Sequence, residues 1–235
     1  MITRKTTDLT NIDFQSGEAL LIDKPQYWSS FKVVHEVRKV TGVKKVGHAG
    51  TLDPMATGLL ILCTGKKTKE INIYQEQEKT YTGTILLGKS SPSMDLETEI
   101  LINKKVDVSD EDILNMKNKF TGDIYQVPPM YSAIKLGGKT LYNLARKGKS
   151  VEREPRLVNV SKFEIKEINL PEIHFEIICS KGTYIRVIAN DFGEMLGCGG
   201  LLSSLRRTGI GSYSVDDAFQ VEEFKQKFER LKTEN

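Results

Sequence analysis

The amino-acid sequence predicts a mixed α+β fold, and three features of its pattern indicate this class. Short apolar segments with the composition of β-strands recur along the 235 residues. Segments with helical spacing and helix-capping residues lie among them. The strand segments are joined both by short turns and by helices, which is typical of α+β proteins. With 39% hydrophobic and 28% charged residues, the composition is that of a folded chain rather than a disordered one.

The first part of the chain predicts an extension, a strand and a helix. Residues 1–17 are polar and predict a loosely held N-terminal extension. Residues 19–25, ALLIDKP, predict a short buried strand that ends at the proline. Ser29 and Ser30 are candidate N-caps of a helix that Gly42 ends. The apolar positions expected along this helix are Phe31, Val34 and Val37.

Loops, strands and helices alternate in the middle of the chain. A loop is predicted over 47–58, and apolar strands are predicted over 58–65 and 79–88. The segment between these strands, TKEINIYQEQ, has a helical pattern. Residues 108–120 predict a helix with Ser109 as N-cap and acidic residues in its first turn.

The later part of the chain predicts a loop, a strand pair and three helices. A loop over 126–138 precedes a short basic helix over 140–147, and strands follow over 157–168 and 172–180. Thr183 is a candidate cap of the next helix. Its apolar stripe is expected to contain Ile185, Ile188, Ala189, Phe192 and Leu196. The final residues, EEFKQKFERLKTEN, predict a charged helix.

The distribution of charge is more informative than the net charge of +3, which is too small to indicate nucleic-acid binding. Residues 135–156 contain seven Lys or Arg and two Glu, whereas 95–123 contain eight acidic residues and four Lys. A basic segment in a nearly balanced chain is a candidate surface for phosphate contacts. The alternative is a solvated helix face, and charge alone does not decide between them.

The cysteines and the N-terminus indicate a reducing, intracellular compartment. Cys63, Cys179 and Cys198 are odd in number and form no CxxC pair, so neither a disulfide scaffold nor a zinc site is expected. The N-terminus has no apolar signal region. No apolar run approaches the roughly 18 residues of a membrane span. The expected location is therefore the cytoplasm.

The segment Gly-His-Ala-Gly-Thr-Leu-Asp-Pro, residues 47–54, is the densest candidate for chemistry. Its glycines allow a close approach to a ligand, and Pro54 biases Asp53 towards an extended conformation. A carboxylate on a rigid turn beside a histidine can serve as nucleophile or base. The alternative is a turn-forming aspartate. A phosphate-binding P-loop is excluded because the sequence contains no GxxxxGK[ST].

A second candidate is the segment Lys-Gly-Thr-Tyr-Ile-Arg, residues 181–186. If a helix begins at Tyr184, Arg186 lies in its first turn. An arginine there is electrostatically unfavourable unless an anion compensates it, which points to a carboxylate or phosphate partner. The alternative is a surface arginine.

Taken together, these motifs resemble one known family. LLIDKP, VGHAGTLDPMATGLLILCTGKKTK, KTYTGTILLG, QVPPMYSAIKLGGKTLYNLARKG and CSKGTYIR occur in this order. The combination resembles the TruB family of pseudouridine synthases over roughly residues 18–210. The family fold is a mixed, largely antiparallel central sheet flanked by helices, which agrees with the α+β prediction.

The resemblance implies roles for individual residues. Asp53 matches the catalytic aspartate, Tyr81 matches a tyrosine that stacks on the flipped uracil, and Arg186 matches an arginine that pairs with the aspartate. The alternative for Tyr81 is an ordinary strand aromatic. Positions near the substrate or lining its pocket are matched by Lys24, His48, Tyr184 and Leu205. The candidates for phosphate contacts are Lys135, Lys139, Arg146, Lys147 and Lys149.

The resemblance also implies an activity. A member of this kind isomerises uridine 55 in the T-loop of tRNA by base flipping and an aspartate-dependent break and re-formation of the glycosidic bond. Asp53 would either attack the base or ribose or abstract a ribose proton, and the sequence does not choose between these. The reaction needs no redox change, so no cofactor and no metal are expected. The expected partner is the T-arm of tRNA, and the expected state is a monomer.

The implied domain organisation is a catalytic domain over 18–215, with an N-terminal extension over 1–17 and a helical tail over 216–235. Many bacterial members carry an RNA-binding PUA domain after the catalytic part, and too few residues follow Gly209 to form one. Either this is a compact member of the family or the sequence is part of a longer one.

Two other functions compete with this reading. One is a tRNA-binding folding chaperone in which catalysis is secondary, although intact Asp53, Tyr81 and Arg186 argue against a purely binding role. The other is a small-molecule lyase or hydrolase that works through Asp53. The basic segment and the lack of an evident second carboxylate for a glycosidase pair argue against it.

Overall fold

A computed structural model describes residues 1–8 and 12–233. The helices are α1 (Ser30–Thr41), α2 (Ile71–Gln75), α3 (Asp110–Lys117), α4 (Leu141–Ala145), α5 (Ile185–Met195) and α6 (Val221–Thr233). The strands are β1 (Ala19–Lys24), β2 (Val46–His48), β3 (Thr57–Thr64), β4 (Lys79–Leu87), β5 (Lys89–Ser90), β6 (Ile102–Asn103), β7 (Gly122–Gln126), β8 (Lys135–Leu136), β9 (Lys139–Thr140), β10 (Arg156–Asn169), β11 (Glu172–Cys179), β12 (Gly200–Ile210), β13 (Tyr213–Ser214) and β14 (Phe219–Gln220). Short 3-10 helices cover Gly65–Glu70, Asn118–Phe120 and Val215–Asp217.

The chain forms two compact units. The first contains Met1–Tyr81 and Leu205–Asn235, and the second contains Thr82–Ser204. Strands β4 and β12 each contribute residues to both units. The division into a catalytic domain over 18–215 and flanking segments stays a prediction.

In the first unit, the strands are ordered β14, β1, β3, β12, and β2 also pairs with β3. Strands β1 and β2 run antiparallel to β3, while β12 runs parallel to it. The β12 register places Arg207 opposite Gly58. Gly58 has a φ of +106°, and a Cβ atom there would clash with the backbone of Arg207. Glycine therefore allows β12 to approach the start of β3 closely.

Helices α1 and α6 cover one face of these strands. Alternate residues of β1 and β3 pack against the valines of α1 and against Phe224 and Phe228 of α6. The hydroxyl of Ser29 accepts the Lys32 N–H at the start of α1, and Gly42 ends the helix with a φ of 71°. Of the two candidate N-caps, Ser29 is confirmed and Ser30 is instead the first residue of the helix, while Gly42 is confirmed as the C-cap. Phe31 was expected on the buried side and is 65% exposed, because the buried stripe runs through the valines instead.

The N-terminal residues are held more firmly than the sequence predicted. Ile2 is buried and forms a parallel bridge with Leu20. The N–H of Arg4 donates to the carbonyl oxygen of Asp217 at 2.9 Å. The prediction of a loosely held extension is wrong for these residues, since the few apolar residues of this polar stretch, Ile2, Ile12 and Phe14, pack against the core.

In the second unit, the strands are ordered β12, β4, β11, β10, β7. Strand β10 runs antiparallel to both β11 and β7. Phe163 of β10 packs against Phe175 of β11 and against Phe192 of α5, with ring centroids about 6 Å apart. Phe120 also contacts Phe192, which attaches the end of the α3 segment to this core. The predicted N-cap of α3 is confirmed, because Ser109 and Asp112 form a reciprocal capping box.

Helix α5 begins one residue later than predicted. Its N-cap is Tyr184, and the predicted cap Thr183 instead donates its hydroxyl to the carbonyl oxygen of Ser180 at 3.0 Å. The sequence pattern did not predict strands β2, β7 and β12, nor the two-residue strands β5, β6, β8, β9, β13 and β14. Strand β12 contains paired arginines and several small residues, which hide its strand character.

The predicted fold class is confirmed: the protein is α+β, its strand pairing is mostly antiparallel, and helices pack on the strands. In residues 1–8 and 12–233, no helix is both long and apolar enough to span a bilayer.

Candidate active site

Asp53 lies in the loop between β2 and β3 of the first unit, and it is half-buried. The loop closes on itself through the Ala56 N–H, which donates to the Asp53 carbonyl oxygen at 3.1 Å. At its start, the Ala49 N–H donates to the carbonyl oxygen of Ile61 at 2.9 Å. The backbone that carries the carboxylate is therefore tied to β3 and to its own turn.

The two residues that flank Asp53 are anchored to the segment where α1 begins. The hydroxyl of Ser30 accepts the Leu52 N–H at 2.9 Å and lies 3.1 Å from the Leu52 carbonyl oxygen. On the other side, the Tyr27 N–H donates to the Pro54 carbonyl oxygen at 2.7 Å. Because both neighbours are fixed, the loop presents Asp53 from a defined position.

Lys24 binds the same loop through its buried ammonium group. Its side chain is fully buried, and its Nζ donates to the carbonyl oxygens of Trp28 at 2.7 Å, Pro25 at 3.0 Å and Pro54 at 3.4 Å. Burial lowers the pKa of Lys24 to about 8, while the nearby Asp53 charge opposes this shift. The ammonium is thus engaged with the protein backbone around Asp53.

Arg207 is a second buried cation at this loop, and the sequence analysis did not assign it a role. It is 1% exposed, its Nε donates to the Leu59 carbonyl oxygen at 2.7 Å, and its Nη2 donates to that of Gly50 at 3.2 Å. It therefore joins β12 to both ends of the Asp53 loop. The signal that was available was an Arg-Arg pair placed directly after the apolar pocket position Leu205.

Arg206, the other member of this pair, has a different partner. Its guanidinium binds both carboxylate oxygens of Asp23, at 3.1 and 2.7 Å, and also donates to Thr57 at 3.3 Å. The amide of Gln220 donates to Asp23 at 2.8 Å. This bidentate pair fixes β12 to β1 and leaves Asp23 fully compensated.

His48 lies on β2 at the start of the loop and is half-buried. Burial lowers the pKa of His48, and the positive charge of Arg207 acts in the same direction. Its imidazole is therefore mainly neutral at pH 7.

Tyr81 and Leu205 are the other predicted site residues in the first unit. Tyr81 is 8% exposed on β4, and Leu205 is half-buried on β12. The hydroxyl of Thr208 on β12 donates to the carbonyl oxygen of Thr80 on β4 at 3.3 Å, which links the two strands here. The role of Tyr81 as a substrate contact stays a prediction.

The second unit positions Arg186 and Tyr184. Arg186 is 3% exposed, so the alternative of a surface arginine is excluded. Its Nη1 donates to the Ser93 carbonyl oxygen at 3.4 Å, and its guanidinium carbon lies 5.9 Å from the Tyr184 ring centroid. The pairing of Arg186 with Asp53 stays a prediction.

A buried glutamine that the sequence analysis did not single out holds the backbone of Tyr184. Gln126 is 3% exposed, and its Oε1 accepts the Tyr184 N–H at 3.0 Å. Its Nε2 donates to the Tyr184 carbonyl oxygen at 3.3 Å. The amide side chain thus forms both hydrogen bonds that a neighbouring strand would form with the backbone of Tyr184, the residue that precedes α5.

The predicted phosphate contacts lie on the short strands β8 and β9, on the end of α4 and just beyond it. All five side chains are exposed, and four of them line a surface cavity of about 590 Å³. They are Lys135, Lys139, Arg146, Lys147 and Lys149. Tyr142 of α4 packs edge-on against Tyr131 and donates its hydroxyl to Glu97 at 2.6 Å. In the part of the chain that the structure describes, no cluster of three or more His, Cys, Asp or Glu side chains is arranged to hold a metal ion.

Comparisons with known protein families define the class of this protein. A model described as "TruB family pseudouridylate synthase (N terminal domain)" matches residues 38–185. A second, described as "tRNA pseudouridylate synthase B C-terminal domain", matches residues 186–235. The class is therefore that of the pseudouridylate synthases. Within it, this chain belongs to the TruB family.

Curated relatives support this membership over nearly the whole chain. A protein of Flavobacterium johnsoniae named "tRNA pseudouridine synthase B" is 46% identical over 94% of this chain and 100% of its own length. A protein of Chlorobaculum tepidum with the same name is 49% identical over 88% of this chain and 89% of its own length.

Among solved structures, the chain is similar to one titled "Crystal Structure of a Cbf5-Nop10-Gar1 Complex". The TM-score is 0.75 and the identity is 26%, over 94% of this chain. The chain spans 57% of the length of the chain in that structure.

Proposed function

We propose that this protein is a tRNA pseudouridine synthase that converts uridine 55 of the T-loop to pseudouridine. The observation that carries the proposal is the anchored carboxylate of Asp53. Its flanking residues Leu52 and Pro54 are bonded to Ser30, Tyr27 and Lys24, within a family whose curated members are tRNA pseudouridine synthases. A rigid carboxylate is what an isomerisation within one bound nucleotide requires.

The reaction begins with the target uridine outside the RNA stack. Extruding a base costs a few kcal/mol, which contacts to the flipped nucleotide must offset. Tyr81 stacks on the uracil, and the family resemblance assigns Leu205 and Tyr184 to positions near the substrate. His48, mainly neutral at pH 7, contacts the substrate next to the Asp53 loop.

The chemistry then exchanges one glycosidic bond for another. The bond from N1 to the ribose C1′ breaks, the uracil rotates, and a bond forms from C5 to C1′. The proton on C5 is lost and N1 gains one, so atoms and electrons balance without a redox partner. Asp53 either adds covalently or abstracts a ribose proton, and both routes need its ionised form.

Electrostatics favour the ionised form of Asp53. Lys24 and Arg207 are buried cations bonded to the backbone of its loop, and an adjacent positive charge stabilises a carboxylate. The family resemblance assigns Arg186 as the partner of this carboxylate. Leaving a buried guanidinium without an anion would cost roughly 3–5 kcal/mol. In this account, Lys24 acts by positioning the loop rather than by touching RNA.

RNA binding comes from the exposed cations around β8, β9 and α4. Neutralised phosphates provide most of the affinity, while the splayed T-loop bases and the shape of the T-arm provide selectivity. We propose that the T-arm is the bound part of the tRNA, and that the protein acts as a cytoplasmic monomer. The catalytic domain over 18–215 is proposed to include both compact units.

Mapping the modified position tests this function. Unmodified total tRNA is incubated with the protein, and pseudouridine is located by chemical labelling and sequencing. The expected result is modification at position 55 of many tRNAs. A protein that anneals unfolded tRNA but leaves every uridine intact would instead be a folding chaperone. Turnover of free uridine without modification of tRNA would indicate a small-molecule enzyme.

A further inference from the structure

Tyr27 has a backbone conformation that side chains disfavour. Its φ is 64°, and Tyr27 and Met94 are the non-glycine residues of the described structure with positive φ. In this left-handed region the Cβ atom lies too close to the backbone, so tyrosine is less favourable than glycine. The bond from the Tyr27 N–H to the Pro54 carbonyl oxygen, at 2.7 Å, holds the residue in this conformation.

The ring of Tyr27 does not offset this cost by packing. Tyr27 is 72% exposed, so little of its apolar surface is removed from water. The exposed side chain therefore gives no stability reason for having tyrosine rather than glycine at this backbone position. Such conformations persist mainly where function requires them.

The segment that carries the Tyr27 ring is bonded to both neighbours of Asp53. Tyr27 binds Pro54, and Ser30 binds Leu52. The Nζ of Lys24 donates to the carbonyl oxygens of both Trp28 and Pro54, and so adds a further link between this segment and the Asp53 loop. The ring therefore lies on a rigid segment beside the loop that presents the carboxylate.

Cations lie close to aromatic rings in this segment and in the helix α1 that follows it. The Lys32 Nζ lies 3.9 Å from the centroid of the Trp28 ring. Phe31 is 65% exposed, and the Arg38 guanidinium lies 5.6 Å from its ring centroid. Surfaces that bind single-stranded nucleic acid combine exposed rings for base stacking with cations for phosphates.

We propose that Tyr27 stacks on an unpaired nucleotide of the substrate RNA next to the flipped uridine. The exposed ring, the strained backbone and the attachment to the Asp53 loop are explained together if the ring must meet RNA close to the reacting base. This inference rests on the proposed function and adds one contact residue to it.

The test measures the Kd for a T-arm RNA hairpin and the Tm of each variant. Tyr27→Gly removes the ring and relieves the backbone, so its Tm is expected to equal or exceed that of the wild type. Its Kd is expected to rise about 10-fold, equivalent to about 1.4 kcal/mol of binding free energy. Tyr27→Phe keeps the ring and is expected to retain the wild-type Kd.

Tyr125→Ala is the matched control, because Tyr125 is a similarly exposed aromatic residue (74%) whose strand, β7, pairs with β10 rather than with the Asp53 loop. It is expected to keep the wild-type Kd. A wild-type Kd for Tyr27→Gly overturns the inference, and so does an equal loss in Tyr27→Gly and Tyr125→Ala. Pseudouridine formation by the wild type is assayed in parallel. If it is absent, the proposed function fails; if it is present while Tyr27→Gly binds normally, only this inference fails.

Discussion

The hydroxyl of Ser30 lies 2.9 Å from the amide nitrogen of Leu52, which joins the first turn of α1 to the residue that precedes Asp53. Ser30 is 2% exposed, so water does not compete for this bond. The loop that carries the carboxylate is thus an extension of the helix and strand framework rather than an independent segment.

Replacing Ser30 by alanine tests this attachment. The Leu52 N–H would lose its partner, and the variant is expected to lose about 1–3 kcal/mol of unfolding free energy. Because the loop would shift, kcat is expected to fall at least about 10-fold. Ser29→Ala is the control: it removes the N-cap of α1 and costs about 1 kcal/mol, but its kcat should stay near that of the wild type. Equal kcat values for the two variants would contradict the attachment.

Lys24 makes stability depend on pH in a defined direction. Its pKa is lowered from 10.5 to about 8, so between these values the unfolded chain binds more protons than the folded one. The contribution of this group to stability therefore rises as pH increases from about 8 to 10.5, by up to about 3 kcal/mol. Urea unfolding of wild type and Lys24→Met at several pH values isolates this contribution. The unfolding free energy of the wild type minus that of the variant should increase with pH over this range. A difference that is independent of pH would show that the pKa of Lys24 is not lowered.

Arg207 is expected to influence both stability and His48. Arg207→Met removes the hydrogen bonds to the carbonyl oxygens of Leu59 and Gly50, at a cost of about 2–4 kcal/mol. Removing its positive charge should also raise the pKa of His48, as followed by NMR. Arg206→Met breaks the bond to Asp23 and also destabilises the protein, but the His48 pKa should stay unchanged. A shift of the same size in both variants would show that unfolding, not charge, is responsible.

The basic side chains around α4 are expected to contribute to RNA affinity through phosphate contacts. Lys139→Gln and Lys147→Gln should each lower the dependence of log Kd on log salt concentration by about 0.7–0.9, without changing kcat at saturating RNA. Lys166→Gln is the control, because Lys166 is already paired with Glu164 at 2.8 Å. An unchanged salt dependence in the first two variants would identify these residues as solvated surface charges.

Much of the local structure was predictable from sequence because it depends on neighbouring residues. The caps of α1, Ser29 and Gly42, and the apolar strand β3 follow from short-range chemistry. The position of Asp53 on a rigid loop was indicated by its glycines and proline, and the family resemblance assigned its role.

The supporting contacts of the site were not predictable, because they join residues far apart in the chain. Arg207 reaches Gly50 only because β12 pairs in parallel with β3, and no local pattern indicates that pairing. Gln126 reaches Tyr184 across 58 positions. Lys24 was expected near the substrate, and its engagement with backbone carbonyl oxygens depends on how the loops meet.

Tritium release from C5-labelled uridine in T-arm RNA tests the role of Asp53 most directly. Asp53→Asn is expected to lower the rate at least about 10³-fold, equivalent to about 4 kcal/mol of activation free energy, while still binding RNA. Asp23→Asn, which changes the carboxylate paired with Arg206, should keep turnover within about 10-fold of the wild type. An Asp53→Asn protein that releases tritium at the wild-type rate would contradict the account.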